Sequence, residues 1–112
     1  MGIESVGPLR VGGDVKAPAL ISRVEPKYTE AARRDKISGI VILEIVIDST
    51  GQVREARVLK PLPDGLSEAA VDAVKQWTFR PGTLNGRPVD VIFNITVSFS
   101  LKTQNVPPPG ER

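Results

Sequence analysis

The sequence contains neither cysteine nor histidine. Without cysteine the chain cannot form disulfides, thiolate metal sites or a thiol nucleophile, and without histidine it lacks the commonest general base and metal ligand. No nucleophile elbow and no phosphate-binding loop is present either. Glu44 and Asp48 fall on one face of a predicted strand, where paired carboxylates are typical of solvent-facing charge. We therefore predict no catalytic residue, no metal and no cofactor, and a protein that is not an enzyme.

No part of the chain approaches the roughly 20 consecutive apolar residues of a membrane-spanning helix. The longest apolar run, residues 40–47, is interrupted by Glu44 and has the length of a strand. The N-terminus shows no charged region followed by an apolar block, so no signal peptide is visible. The 15 basic and 13 acidic residues are interspersed along the chain. This mixture argues against nucleic acid as a partner, because nucleic-acid binders carry a one-sided basic stripe.

The chain is predicted to hold one domain, with irregular segments at both ends. Residues 1–17 are rich in glycine and proline and show no periodicity, and residues 103–112 contain three consecutive prolines, which is typical of a flexible tail. Residues 18–102 form the predicted domain. Within it, residues 18–24 are expected to be extended and residues 30–36 to form a short helix with Thr29 as its N-cap.

Two strands and a second helix follow. Residues 40–47 carry apolar side chains at every odd position and at three of the four even ones, which indicates a central strand. A turn at residues 48–51 leads to a returning strand at residues 52–60, where Val53 is out of phase and suggests a bulge. The second helix is predicted to have Asp64 or Ser67 as its N-cap and to be terminated by Pro81 and Gly82. It carries an apolar stripe at helical spacing: Leu66, Ala69, Ala70, Ala73, Val74 and Trp77. Trp77 is predicted to anchor the core.

Residues 89–101 alternate apolar and polar side chains and predict a third, half-buried strand. The second and third strands could be parallel neighbours joined by the helix. We favour the order two-one-three, which places the most apolar strand in the centre and makes every neighbouring pair antiparallel. The fold class is then α+β, a three-stranded antiparallel sheet with two helices on the face of the odd-numbered residues of the third strand.

In this order the third strand is an edge. Residues 91–101 contain no Lys, Arg, Pro or Gly, the residues that commonly protect an edge from pairing with another chain. The edge is either covered by the tail, the N-terminal segment or a second copy, or it receives an extended peptide as an added strand. Each added backbone hydrogen bond contributes about 0.5–1.5 kcal/mol, and ordering the peptide costs about 1–2 kcal/mol per residue. A reversible interaction of micromolar affinity is therefore expected.

Short motifs distributed over residues 18–101 resemble the C-terminal domain of the TonB family. They are Pro26-Lys27-Tyr28, Ala31-Ala32-Arg33, Gly39-Ile40-Val41, Asp48 with Gly51-Gln52-Val53, Ala69-Ala70-Val71, Trp77-Thr78-Phe79-Arg80-Pro81, Asn85-Gly86-Arg87-Pro88-Val89 and Phe99-Ser100-Leu101. Residues 10–15 also resemble the approach segment of TonB-like proteins. Thr29 departs from the family, which usually has a second proline after the tyrosine.

The resemblance implies a periplasmic energy transducer, anchored in the inner membrane by a segment that precedes this chain. Its domain would bind the TonB box of an outer-membrane transporter by strand addition, and a proton-driven inner-membrane motor complex would supply the energy for uptake of cargo such as siderophores. Carried over by position, the partner-binding residues are Val91, Ile92, Phe93, Asn94, Ile95, Thr96, Val97, Ser98 and Phe99, with flanking contacts from Val24, Glu25 and Pro26.

Two other interpretations remain open at this stage. A sheet with helices on one face is typical of RNA-recognition folds, but these place stacking aromatic residues on the open face. The even positions here are Ile40, Ile42, Glu44, Asn94, Thr96 and Ser98, none of them aromatic. A TolA-like or self-associating periplasmic coupler is the second alternative, because Ile40, Ile42 and Ile92 on the open face could support a homodimer.

Overall fold

The computed structural model describes residues 7–101, which form an α+β fold with two helices and several small sheets. The elements in chain order are β1 (Leu9–Arg10), β2 (Val15–Lys16), β3 (Ala19–Ser22), α1 (Glu30–Arg34), β4 (Gly39–Ile47), β5 (Val53–Lys60), α2 (Leu66–Val74), β6 (Thr78–Arg80), β7 (Thr83–Leu84), β8 (Arg87–Pro88) and β9 (Val91–Phe99). The predicted tail, residues 103–112, lies outside the described residues.

The three long strands take the predicted relative order, with β4 between β5 and β9. β4 and β9 are antiparallel and pair without interruption from Gly39 opposite Phe99 to Ile47 opposite Val91. The pairing of β4 with β5 shifts register next to Ile47, which pairs with Val53, and this is the bulge that Val53 suggested. β4 is central because its side chains are apolar on both faces.

The sheet has one strand more than the predicted three. β1 pairs in parallel with β9, so that the full order is β1-β9-β4-β5, and the prediction of a three-stranded, purely antiparallel sheet was wrong in this respect. β2, β7 and β8 form a second small sheet, and β3 pairs with β6 in a third. Residues 7–17 thus contribute two short strands, although the sequence predicted no regular structure there.

The helices and the core lie on one face of the large sheet. The alternate side chains of β4, from Val41 to Ile47, are fully buried against Ala32 of α1 and against Leu66, Ala70 and Val74 of α2. Tyr28, just before α1, contacts Phe99 of β9 edge-on at 5.5 Å between ring centroids, and its hydroxyl donates to the carbonyl of Ile37. These contacts fix α1 over one end of β9.

The two helix starts are built differently. Thr29 caps α1 as predicted, because its Oγ1 accepts from the backbone N–H of Ala32 at 3.1 Å. The caps predicted for α2 were wrong: the N-cap is Gly65, which has φ of 82° and forms no side-chain cap hydrogen bond. Ser67 instead bonds both main-chain groups of Leu62, accepting from its N–H and donating to its carbonyl. The Ser67 hydroxyl therefore stabilises the segment that leads into α2 and does not cap the first turn of the helix.

α2 ends at Val74, earlier than the apolar stripe suggested. Trp77 follows the helix and is 6% exposed, so it is buried in the core as predicted, but from the connection to β6. β6 then pairs with β3, placing Ala19 opposite Arg80 and Leu20 opposite Phe79. The stripe overestimated the helix because the indole reaches the same core from a position that happens to continue the helical spacing.

Asp48 organises the turn between β4 and β5. Its Oδ1 accepts from the N–H of Thr50 and of Gln52, at 2.9 and 3.1 Å, and from the hydroxyl of Thr50. The Thr50 hydroxyl is the main cause that lowers the pKa of Asp48 below its usual value, and together with the two N–H donors and Arg54 it outweighs the opposing effect of burial. The charged carboxylate therefore stabilises the turn.

We expect Asp48→Ala to lower the free energy of unfolding by about 1 kcal/mol at pH 7, because the three donors lose their acceptor. Since the folded-state pKa lies below the unfolded one, this stabilisation is present above the unfolded pKa and is lost as the pH falls through the folded pKa. The difference in thermal stability between the parent and Asp48→Ala should therefore shrink between pH 6 and pH 2, as measured by circular dichroism. Asp48→Asn, which keeps an acceptor oxygen, is the control. A constant difference across this range would contradict the role of the charge.

Candidate partner-binding edge

The nine predicted pairing residues are the whole of β9, but they divide into two sets. The side chains of Val91, Val97 and Phe99 are buried, the last two in the core that the helices cover, and Phe93 and Ile95 are partly buried on the same face. On the other face Asn94, Thr96 and Ser98 are exposed and Ile92 is partly exposed. Only this even-numbered set offers exposed side chains to a partner.

The main chain of β9 alternates in the same way. In an antiparallel pair, successive residues direct their N–H and C=O groups alternately to one neighbouring strand and to the other. The carbonyl of Asp90 accepts from the N–H of Leu9 in β1, at 3.0 Å, so the even-numbered groups point to the outer edge. The odd-numbered groups then bind β4. A partner strand would accordingly meet the main chain of Asn94, Thr96 and Ser98, while Phe93, Ile95 and Val97 hold the sheet together.

The first part of this outer edge is already paired. β1 lies beside it, with Leu9 opposite Val91 and Arg10 opposite Ile92. Within residues 7–101 no strand pairs with the outer side of β9 beyond Ile92. The stretch from Phe93 to Ser98, whose outer side pairs with no strand of residues 7–101, is defined here as the open edge.

Trp77 holds the segment that carries the predicted flanking residues through Val24 and Arg23. Its indole N–H donates to the carbonyl of Val24 at 2.8 Å, and the guanidinium of Arg23 lies 5.3 Å from the centre of the indole ring. Arg23 also forms an exposed ion pair with Glu25 at 3.4 Å. Trp77 therefore fixes this segment relative to the core by a hydrogen bond to its main chain and by a cation–π contact with Arg23.

The flanking residues do not lie on β9 itself. Val24 and Glu25 line a groove of about 460 Å³ between this segment and α2, whose other wall includes Ala69 and Ala73. The link from the segment to the large sheet is the contact of Tyr28 with Phe99. The structure thus brings the two predicted parts of the site to neighbouring elements, joined at the end of β9.

The open face beside the edge is charged. Glu44 of β4 forms ion pairs with Arg10 of β1 and with Arg57 of β5, each at 3.3 Å. Asp90, immediately before β9, accepts from the backbone N–H of Ser49 and pairs with Arg54 at 3.1 Å. The edge is therefore bordered by matched charges and not by an excess of either sign.

The sequence-based reasoning missed the role of Leu9 and Arg10. Two residues are too few to show the period of a strand, and their pairing partner lies more than eighty positions away. The available signal was the resemblance of residues 10–15 to the approach segment of TonB-like proteins, but this resemblance did not indicate where the segment lies in the fold. The groove beside α2 was missed as well, because it forms between distant parts of the chain.

Comparison with known proteins identifies the family. A profile described as Gram-negative bacterial TonB protein C-terminal matches residues 24–101. Protein TonB of Vibrio cholerae is 37% identical over 90 residues, which are 79% of this chain and 37% of that protein. Protein TonB of Xanthomonas campestris is 36% identical over 77 residues, which are 68% of this chain and 34% of that protein. The chain spans about a third of the length of these relatives.

A solved structure supports the fold. The solution NMR structure of the Pseudomonas aeruginosa TonB CTD superimposes with a TM-score of 0.58, covering 80% of this chain and 88% of that one at 24% sequence identity. The matched profile takes in every element from α1 to β9, including both helices and the three long strands. The chain belongs to the family of Gram-negative bacterial TonB C-terminal domains.

Proposed function

We propose that this domain binds a short extended segment of an outer-membrane transporter, the TonB box, as an added strand on the open edge of β9. Proteins of this family are transducers and not enzymes. The observation that carries the proposal is the outer main chain of Asn94, Thr96 and Ser98, which no strand within residues 7–101 pairs. An unpaired edge without protective residues is a template for strand addition.

The geometry fits a partner that binds and releases. The three outward-facing residues offer about six backbone hydrogen bonds, because each carries one donor and one acceptor. At about 0.5–1.5 kcal/mol each, these bonds do not by themselves outweigh an ordering cost of about 1–2 kcal/mol per residue of the partner. The remainder would come from side-chain contacts, for which the exposed Asn94, Thr96 and Ser98 and the groove beside Val24 are available.

The proposal extends to the whole protein. The family places this domain in the periplasm of Gram-negative bacteria. We propose that a region outside this chain anchors it in the inner membrane and connects it to a proton-driven motor complex, so that energy reaches the bound transporter and drives uptake of cargo such as siderophores. Within residues 7–101, no helix has the length and apolar character needed to cross a membrane.

A pair of proline substitutions tests the edge. Thr96→Pro removes an N–H that points outward, and proline is tolerated at such positions of an edge strand. We expect the variant to stay folded, with a melting temperature within a few degrees of the parent, and to lose at least tenfold in affinity. The probe is a synthetic peptide covering the TonB box of a transporter from the same bacterium, with binding measured by isothermal titration calorimetry.

Two variants serve as controls. Thr96→Val keeps the N–H and the shape of the side chain, so we expect affinity within about threefold of the parent. Val97→Pro removes an N–H that bonds to β4 and should unfold the domain, because a ladder bond of a central pair is lost. If Thr96→Pro bound the peptide as tightly as the parent, or if both prolines unfolded the domain alike, strand addition on this edge would be excluded.

The same variants distinguish binding of a transporter peptide from formation of a homodimer. Self-association through the open edge would appear as a concentration-dependent sedimentation coefficient that Thr96→Pro abolishes and Thr96→Val leaves unchanged. This outcome, without peptide binding, would favour a self-associating coupler over a transporter-binding domain.

A further inference from the structure

We propose that β1 is an end-stop that limits a docked strand to the open edge and fixes its register on β9. The inference rests on the proposed function, since it concerns the same edge. Three features of residues 9–15 carry it: the pairing of β1, the turn that follows, and an ion pair that crosses β9.

The pairing occupies the start of the outer edge. Leu9 donates its N–H to the carbonyl of Asp90 at 3.0 Å. In a parallel ladder each residue bonds to the residues before and after its partner, and because Leu9 lies opposite Val91, its carbonyl faces the N–H of Ile92. The outward groups at this end of β9 are therefore already engaged by the same chain.

The chain leaves β9 directly after β1. Gly12 and Val15 exchange two backbone hydrogen bonds, at 3.0 and 2.9 Å, which close a tight reversal. Gly12 and Gly13 adopt φ of 140° and 57°, values that favour glycine. The reversal leads into β2, which pairs with β7 in a different sheet. β1 therefore cannot extend along β9, and the open edge starts where the turn begins.

An ion pair fastens β1 across the sheet. Arg10 reaches over β9 to Glu44 of β4 at 3.3 Å, and Glu44 is held from the other side by Arg57 at the same distance. Exposed ion pairs contribute little to stability, and their role here is positional, because Arg10 can pair with Glu44 only while β1 lies on β9. The register of β1 and the face that it presents are thereby set.

A docked strand consequently meets a boundary. It would pair with the stretch from Phe93 to Ser98, which at about 3.4 Å per residue is about 20 Å long. The neighbouring end of β1 prevents it from sliding toward Asp90. Because a slip of one residue exchanges the two faces of a strand, a fixed boundary allows the domain to present the same partner side chains to its open face each time.

Amide hydrogen exchange measured by NMR tests the end-stop in the full chain. Leu9→Pro removes the N–H that donates to Asp90, and Leu9→Ala removes the same side chain but keeps that N–H. In the parent and in Leu9→Ala we expect the Ile92 amide to exchange at least tenfold more slowly than in Leu9→Pro. The amides of Asn94, Thr96 and Ser98 should exchange alike in all three proteins.

The exchange measurement is then repeated in the presence of the peptide described above, extended to eight residues. In the parent it should slow the exchange of Asn94, Thr96 and Ser98 and leave Ile92 unchanged. In Leu9→Pro it should slow Ile92 as well, by at least tenfold. Identical sets of slowed amides in both proteins, or release of the Leu9 amide when the peptide binds the parent, would overturn the end-stop alone. Absence of binding to all three proteins would overturn the proposed function together with it.

Discussion

Replacing Gly51 by alanine is expected to lower the free energy of unfolding by about 3 kcal/mol or more. Gly51 is buried at the tip of the β4–β5 hairpin with φ of 90°, and a Cβ there would lie 2.0 Å from the carbonyl oxygen of Phe79. The contact cannot be relieved by a rotamer change, because the main chains are bonded: Phe79 donates to the carbonyl of Gly51 at 2.9 Å. The alanine variant must therefore separate the hairpin from β6.

Thermal unfolding followed by circular dichroism measures this effect. For a domain of this size each kcal/mol corresponds to about 4–8 °C, so we expect the melting temperature to fall by at least about 12 °C. Gly86→Ala is a matched control, since Gly86 has φ of 84° and no atom within 4 Å of an added Cβ. It should lose only the cost of the left-handed conformation, about 1 kcal/mol. Equal losses in the two variants would show that the contact with Phe79 contributes nothing.

Removing Trp77 is expected to have the second large effect, and one that reaches the candidate site. Trp77→Ala should lower the free energy of unfolding by about 3–5 kcal/mol, the usual cost of a large aromatic residue in a core. Trp77→Phe should lower it by about 1–3 kcal/mol, because the carbonyl of Val24 loses the indole N–H that lies 2.8 Å away. The phenylalanine variant should stay folded while the segment around Val24 and Glu25 is released from the core.

The release of this segment distinguishes a site effect from a general loss of stability. We expect the amide resonances of Val24 and Glu25 to shift toward random-coil values in Trp77→Phe, and peptide affinity to fall about threefold or more. Tyr28→Phe is the control, because it also removes a single donor to a main-chain carbonyl, that of Ile37. It should lower stability while leaving the resonances of Val24 and Glu25 in place. Unchanged resonances in Trp77→Phe would show that the indole does not hold the segment.

The long, periodic parts of the chain were predictable. β4 and β9 each run for nine residues, long enough for the alternation of their side chains to identify both the strand and its buried face. Thr29 was identified as a cap because a hydroxyl before a helical run satisfies a free N–H by local geometry alone. These elements could be predicted without knowledge of contacts between distant parts of the chain.

The short elements were not predictable, for a physical reason. β1 and β2 have two residues each, and β6 has three, so none shows a period of its own. Each is a strand only because a distant segment supplies its hydrogen bonds. The start of α2 was misplaced for a related reason: at Gly65 the backbone takes a left-handed conformation, and no polar side chain marks the cap.

The candidate site, like the fold, could be predicted from the sequence only in part. The lack of protective residues in β9 is a property of composition and predicted an open edge. Which of its residues direct their main chain outward depends on how β9 pairs with β4, and where the edge begins depends on β1. The sequence therefore predicted all nine residues of β9 as pairing residues, whereas the structure directs the main chain of only Asn94, Thr96 and Ser98 to the open edge.

The parallel placement of β1 also determines the mechanical response of the domain. Tension applied from the N-terminal side reaches Leu9 and Arg10 before any other strand of residues 7–101, and the load falls on a two-residue pairing and one exposed ion pair. The nine paired residues of β4 and β9 lie further along the path of the force. A pulled domain would therefore release β1 first, lengthening by a few residues while the pairing of β4 with β9 stays intact.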